Sequence, residues 1–269
     1  MKNIELLLEI MSRLRDPQGG CPWDLRQTYG TIVPYTLEEA YEVADAIQRG
    51  DMAELRNELG DLLFQVVFYS QIAREEGHFD FGQVVEGICE KMLRRHPHVF
   101  SDAKFETEAD LRAAWEQQKS DERADKTATE DMSEIAGVAR ALPALIRAEK
   151  LQKRAARVGF DWPDVDGAMN KVHEELAEIQ HELEQEDLEK AQDELGDLLF
   201  SVVNVTRLLG MDAEQVLSQA NEKFERRFRE MEKLLKESGK ADLHTLTLKE
   251  WDSAWESIKR KNKIRFLEI

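Results

Sequence analysis

Apolar residues recur at helical spacing through most of this chain. Near the N-terminus they fall at Ile4, Leu7, Leu8, Met11 and Leu14, one face of a helix over 1–15. The segment DPQGGCPWD (16–24) stops that pattern with Pro17, Gly19, Gly20 and Pro22. Thr36, with Glu39 three residues on, has the form of a capping box and predicts a helix from there to about Gln48. Arg49-Gly50-Asp51 is the predicted turn. A second helix follows from about Met52 to Glu76, its apolar content rising through LLFQVVFY until Gly77 ends it. A third is predicted from Asp80 or Phe81 to about Arg95, closed by Pro97, and a shorter fourth over 107–119. The second half repeats the order. Helices are predicted over 142–157, 168–184, 188–209, 212–237 and 248–261, with a break at GFDWP (159–163) and a turn at 185–187. Only 6 prolines and 14 glycines interrupt the 269 residues, and the chain reads as all-α.

The repetition extends to particular residues. Glu39, Glu42, Glu58 and Asp61 stand in LEEAYEV and NELGDLLF; Glu175, Glu178, Glu194 and Asp197 stand in EELAEI and DELGDLLF, at the same spacings of three, sixteen and three. Glu90-Lys91 and Arg94-Arg95 in CEKMLRRH match Glu222-Lys223 and Arg226-Arg227 in NEKFERRF. Trp115-Glu116 and Lys119 in WEQQK match Trp255-Glu256 and Lys259 in WESIK. Three patterns in one order, at a period far longer than that of solenoid repeats, predict two copies of one domain. Between them, 120–135 (SDERADKTATEDMSEI) has few apolar residues and many charges and reads as a linker. The expected division is 1–120, a linker over 121–136, and 137–269, each domain built around an antiparallel helix hairpin.

Composition narrows the partners. Hydrophobic residues make up 42%, enough for a core, and charged residues 34%, as long solvated helices require. The net charge of −18 repels nucleic acid and anionic membrane, so neither is an expected partner. It leaves room for a phosphate ligand if the acids hold cations. Cys21 and Cys89 fit neither a disulfide framework nor a zinc pattern and suggest a reducing compartment. Glu5 and Glu9 mark the first helix as amphipathic, not as a signal peptide. No apolar run approaches the roughly 18 residues that span a bilayer. The expectation is a soluble, cytoplasmic protein.

The acid spacing carries the chemistry. Residues three apart share a helix face. The midpoint of Glu178 and Glu194, and of Glu175 and Asp197, is Glu186 inside a predicted turn; in the first copy both midpoints fall on Gly50. A hairpin folded there sets each acid level with one on the facing helix, about 8–10 Å away. Four such carboxylates form a cage for a hard divalent cation, Mg²⁺ or else Mn²⁺, and not for zinc. Gly60 and Gly196 beside the last acid suggest a close approach of backbone or ligand, since a helical glycine costs about 1 kcal/mol relative to alanine. A di-iron centre is the competing metal reading, but Glu178 and His181 form only one Glu-x-x-His motif, and Asp45 holds the matching position in the first copy. Lys171 and Lys190 each lie four residues before a cage acid, where a plain helical salt bridge is the alternative to a ligand role. Lys223, Arg226 and Arg227 cluster within about one helical turn. Trp255 either stacks on a base or packs in a core.

The EExxE…ExxD pattern, GFDW, ELGDLLF and NEKFERRF together resemble the MazG family of nucleoside triphosphate pyrophosphohydrolases, over nearly the whole chain including its duplication. The resemblance implies an all-α fold related to dimeric dUTPases and phosphoribosyl-ATP pyrophosphohydrolases, completed as helical bundles in a homodimer. It implies Mg²⁺-dependent hydrolysis of a nucleoside triphosphate to monophosphate and pyrophosphate, in nucleotide-pool housekeeping or a stress response. Carried over by motif, Glu175, Glu178, Glu194 and Asp197 are the metal ligands. Lys171, Lys190, Lys223, Arg227 and Trp255 fall on nucleotide-binding positions, with Arg226 and Lys259 beside them. Water is expected to attack the α-phosphorus, with Lys and Arg stabilising charge on the oxygens, and Glu174 is a candidate to position that water or take its proton. Tyr35 replaces Lys171 in the first copy and Glu54 replaces Lys190, so the second copy is expected to be the main active site. A reading of another class is a non-catalytic acidic helical module that binds a protein. Base and sugar preference and the number of metal ions stay open.

Overall fold

The computed structural model describes residues 2–101, 133–240 and 242–265, with scattered positions between 105 and 118. The chain divides into two compact units, 1–120 and 121–269. Among the described residues every regular element is helical, and no helix is long and apolar enough to cross a membrane.

The first unit contains α1 (Lys2–Leu14), the short α2 (Pro22–Leu25), α3 (Tyr29–Arg49), α4 (Met52–Glu75), α5 (Phe81–Arg95) and the short α6 (Pro97–Phe100). Helices α3 and α4 form the expected hairpin, and α1 and α5 pack on α4. Gly50 ends α3 in the left-handed conformation, φ 69°. Asp51 opens α4 by accepting from the N–H groups of Ala53 and Glu54. The start of α3 corrects the sequence reading. The cap is Thr28, whose hydroxyl and backbone exchange bonds with Thr31. Thr36 lies inside the helix, its hydroxyl donating to the Ile32 carbonyl and pairing with the Tyr69 hydroxyl at 2.9 Å. Pro34 is accommodated within α3. Met11, Ile32, Val67, Phe68 and Ile72 form the core, so much of the apolar run at 62–69 is used inside the unit. Arg15 ties the loop after α1 to α4. Its guanidinium donates to both Glu75 carboxylate oxygens and to the Asp24 and Gln27 carbonyls, and lies over the Phe68 ring.

The second unit contains α7 (Ala144–Arg157), α8 (Val165–Glu184), α9 (Leu188–Leu208), α10 (Ala213–Glu237), a 3-10 turn (Leu243–Thr245) and α11 (Leu248–Arg265). Helices α8 and α9 form the second hairpin, α7 packs on α9 and α10, and α10 pairs with α11. The hairpin turn places Glu186 at φ 58°, the left-handed conformation that Gly50 supplies in the first copy. Helix α8 begins at Val165, three residues before the expected Ala168, because Asp164 caps it through the N–H groups of Asp166 and Gly167. Helix α11 extends past the expected Lys261 to Arg265. The GFDW segment is a built loop. Asp161 is ion-paired with Arg207 of α9, and the Trp162 ring lies so close to Gly167 that a Cβ there would sit 2.6 Å from it. Met231, Leu235, Ala254 and Ile258 form the α10–α11 core. The WEQQK match, with Trp115, Glu116 and Lys119, and most of the linker segment lie outside the described residues.

Candidate metal centre

Each hairpin brings three of its four spaced acids together. In the second unit, carboxylate oxygens of Glu175 on α8 and of Glu194 and Asp197 on α9 lie within 4.8 Å of one another. Glu178, one turn from Glu175, falls outside that trio but is near enough to act on Glu194. In the first unit the trio is Glu39, Glu42 and Glu58, and Asp61 stands at its edge, where its charge reaches Glu39 and Glu58. Each cage thus gathers three of its four acids tightly and keeps the fourth beside them.

Such crowding is costly without a counter-charge. Burial, followed by the charges of Glu178, Glu175 and Asp197, holds the Glu194 carboxyl above the usual carboxylate range. Burial and the neighbouring Glu54, Glu42 and Asp61 push Glu58 up to about 7. Burial and the charges of Asp61 and Glu42 raise Glu39 as well.

Glu175 is the deepest of these acids, only 1% exposed. Its Oε1 is paired with the Lys171 ammonium at 2.6 Å, while its Oε2 is buried with no hydrogen-bond partner. An ionised oxygen in that position needs a cation or a proton. A divalent cation would supply the counter-charge that this oxygen and its two neighbouring acids lack. All donors are hard carboxylate oxygens, which fits Mg²⁺ or Mn²⁺. The residues present therefore fit a divalent cation, which Glu175, Glu194 and Asp197 could hold, with Glu178 one turn away. His181 is exposed, and the clustered acids do not include it, which removes the basis for a di-iron reading.

The cations are placed less uniformly. Lys171 bridges Glu174 at 2.8 Å and Glu175, and these two acids raise its pKa. Glu174 is exposed and points its carboxylate at that ammonium. Lys190, expected beside Glu194, turns instead to the hairpin end, 3.3 Å from Asp187 and 3.6 Å from Glu182. Asp187 caps α9, and Lys190 is in its first turn. Lys223 and Arg226 are exposed on α10; Arg227 is half-buried there, its Nε without a partner. Lys259 pairs with Glu256 on α11. Trp255 packs against the α10–α11 core with its ring 5.5 Å from that of Phe224, so packing is its role within the unit. Among the described residues, a Cβ at Gly60 or Gly196 would find no atom within 4 Å, so no close approach there explains them. The sequence reading missed Gln65, which is buried beside Glu39 and reaches its Oε1 at 3.5 Å. Its place within the apolar run LLFQVVFY was the available signal.

A known family matches the sequence of both hairpins. The family described as MazG nucleotide pyrophosphohydrolase domain matches residues 27–100 and 165–231, one match on each hairpin. A nucleoside triphosphate pyrophosphohydrolase of Escherichia coli (strain K12) is 51% identical over 97% of this chain and 98% of its own. The nucleoside triphosphate pyrophosphohydrolase/pyrophosphatase MazG of Thermotoga maritima is 41% identical over 95% of each. A solved structure, that of a mazG-related protein from Thermotoga maritima, is 29% identical and covers 43% of this chain and 98% of that one, with a TM-score of 0.37. The sequence matches span both hairpins and nearly the full length, and the chain belongs to the MazG nucleotide pyrophosphohydrolase family.

Proposed function

We propose that this chain hydrolyses nucleoside triphosphates to monophosphate and pyrophosphate, with the second cage as its main active site. The observation that carries the reading is Glu175: a buried carboxylate with one oxygen on Lys171 and the other without a partner, inside a trio of acids. The activity named for the full-length relatives supports it. A Mg²⁺ or Mn²⁺ held by Glu175, Glu178, Glu194 and Asp197 supplies charge neutralisation and an acidified water. The chain's own residues do the rest. Lys171, fixed between Glu174 and Glu175, keeps an ammonium at the cage edge for a phosphate oxygen. Glu174 is exposed and takes the proton of the attacking water or orients it. Lys190 must leave Asp187 and Glu182 to reach a phosphate. Lys223, Arg226, Arg227 and Lys259 line the remainder of the nucleotide, and Trp255 offers the edge that the core leaves free.

The same reading divides the chain into MazG-like domains over 1–120 and 137–269 joined by a charged linker at 121–136. It makes the protein a cytoplasmic homodimer in nucleotide-pool housekeeping or stress, with no nucleic acid or membrane partner. Incubating the purified chain with mixed nucleoside triphosphates and Mg²⁺, and measuring pyrophosphate, tests the core of it. Release from at least one nucleotide is expected. A chain that is helical by circular dichroism yet releases none would instead be an acidic interaction module.

A further inference from the structure

The Lys190 ammonium rests at the turn of the second hairpin, 3.3 Å from Asp187 Oδ2 and 3.6 Å from Glu182 Oε2. Asp187 does two things there. Its Oδ1 accepts from the Lys190 backbone N–H at 3.1 Å and caps α9, while its Oδ2 faces the ammonium of the same residue. Glu182, near the end of α8, has a side chain only 16% exposed. Helical side chains lean back towards the helix N-terminus. A lysine in the first turn of α9 therefore leans to the turn and away from Glu194.

The first hairpin lacks both partners of this contact. Ala46, fully buried, stands where Glu182 does, and Glu54 stands where Lys190 does. The cap itself is shared, since Asp51 accepts from the Glu54 backbone N–H at 3.0 Å. The additional acid and the lysine thus occur together, in one copy. A largely buried carboxylate is costly unless a cation faces it, and Lys190 is the cation that faces Glu182.

Lysine carries a compact charge on a flexible four-carbon stem. Lys190 and Glu194 are four residues apart, about 6 Å along the helix axis, so a swing of the stem carries the ammonium from the turn to the edge of the cage. Partly exposed ion pairs are weak, and a polyphosphate offers several charged oxygens in exchange. We infer that Asp187 and Glu182 hold Lys190 away from the second cage until a polyphosphate draws it there, so that both acids are positioning residues that weaken nucleotide binding through Lys190. The inference rests on the nucleotide role proposed for that cage.

The test measures the affinity of the full chain for unhydrolysable α,β-methylene nucleoside triphosphates with Mg²⁺ by isothermal titration calorimetry. Glu182→Gln and Asp187→Asn should each tighten binding about two- to fivefold, the range of a partly exposed ion pair. With a hydrolysable substrate, KM should fall by the same factor while kcat stays within about twofold. Lys190→Ala should weaken binding, and in that background neither acid variant should change it. An acid whose variant leaves the affinity unchanged, or tightens it equally without Lys190, is removed from the assignment, and the failure of both overturns the inference. A purely structural role would lower Tm and kcat with no dependence on Lys190, and that pattern overturns it too. Asparagine keeps the cap acceptor, so Asp187→Asn decides alone if circular dichroism shows Glu182→Gln unfolded. A native chain that binds no nucleotide overturns the inference together with the hydrolase reading. Binding without pyrophosphate release fails the hydrolase reading alone, and the affinities still decide the part of the two acids.

Discussion

Glu178→Ala and Glu42→Ala remove the same type of side chain from the two cages, and their unequal effects locate the chemistry. Loss of residues that merely orient metal ligands costs about 10–100-fold, so Glu178→Ala is expected to lower pyrophosphate release at least about 100-fold. Glu42→Ala should leave turnover within a few-fold of the native chain. The reverse pattern in steady-state kinetics would move the active site to the first copy. Glu58 gives a second prediction at this scale. Its folded pKa is about 7 against an ordinary 4.5, so between those values the metal-free folded chain binds more protons than the unfolded one. Stability from this group is complete below about pH 4.5 and is lost as pH rises through about 7. Thermal unfolding in chelator should show Tm falling across that window, Glu58→Gln should flatten that component, and Mg²⁺ should raise Tm more at pH 8 than at pH 5. An equal Tm response of Glu58→Gln and the native chain would show that the carboxyl is not held up in the fold.

The hairpin is the element that turns spacing into a site. Its turn needs a left-handed residue in both copies, met by Gly50 at φ 69° and by Glu186 at φ 58°. A side chain in that conformation costs roughly 1–2 kcal/mol. Glu186→Gly should therefore stabilise the second unit by about 1 kcal/mol or somewhat less, the gain being reduced by the greater freedom of glycine in the unfolded chain. Gly50→Ala should destabilise the first by a similar amount, and chemical denaturation checks both. The turn and the level placement of acids were legible because both follow from fixed helical geometry. The start of α3 was not. The sequence pattern favours Thr36 as the cap because a Glu stands three residues beyond it, whereas Thr28 caps the helix in the structure. The contest was decided by packing: Tyr29 stacks on Tyr69 and Thr36 meets the Tyr69 hydroxyl, which holds the earlier turns helical despite Pro34.

Across the molecule, each hairpin carries an apolar stripe that the described residues of its unit leave exposed. On α9 it consists of Leu195, Leu199 and Val202, and on α4 of Leu59, Leu63 and Val66, all exposed. Their i, i+4, i+7 spacing puts each set on one helix face, and Gly60 and Gly196 stand next to them with open space above. Apolar faces of this kind mark association surfaces, in keeping with the proposed homodimer. Leu199, 60% exposed, is the sharpest probe. Leu199→Glu should shift the sedimentation of the chain from dimer towards monomer while the helical content holds, because a charge on a covered face is left without water or partner. A native chain that sediments as a monomer at every concentration would remove the homodimer from the reading.

The sequence by itself determined the all-α class, the duplication and the acid sets from which three of four meet in each hairpin. These depend on periodicity and on equal distances from a turn, quantities that helical geometry makes readable along one dimension. It also marked the difference in cations between the copies, since Tyr35 and Glu54 are matters of identity alone. Only the tertiary structure decided where the long side chains go. Lys171 and Lys190 share the same spacing from their acids, yet Lys171 lies on Glu175 while Lys190 is drawn to the cap residue Asp187 and to Glu182 across the turn. A flexible ammonium follows the strongest nearby field, and that field is set by how the two helices fold back on each other. Burial likewise singles out Glu175 and Gln65, because the depth of a side chain depends on neighbours that sequence spacing does not name.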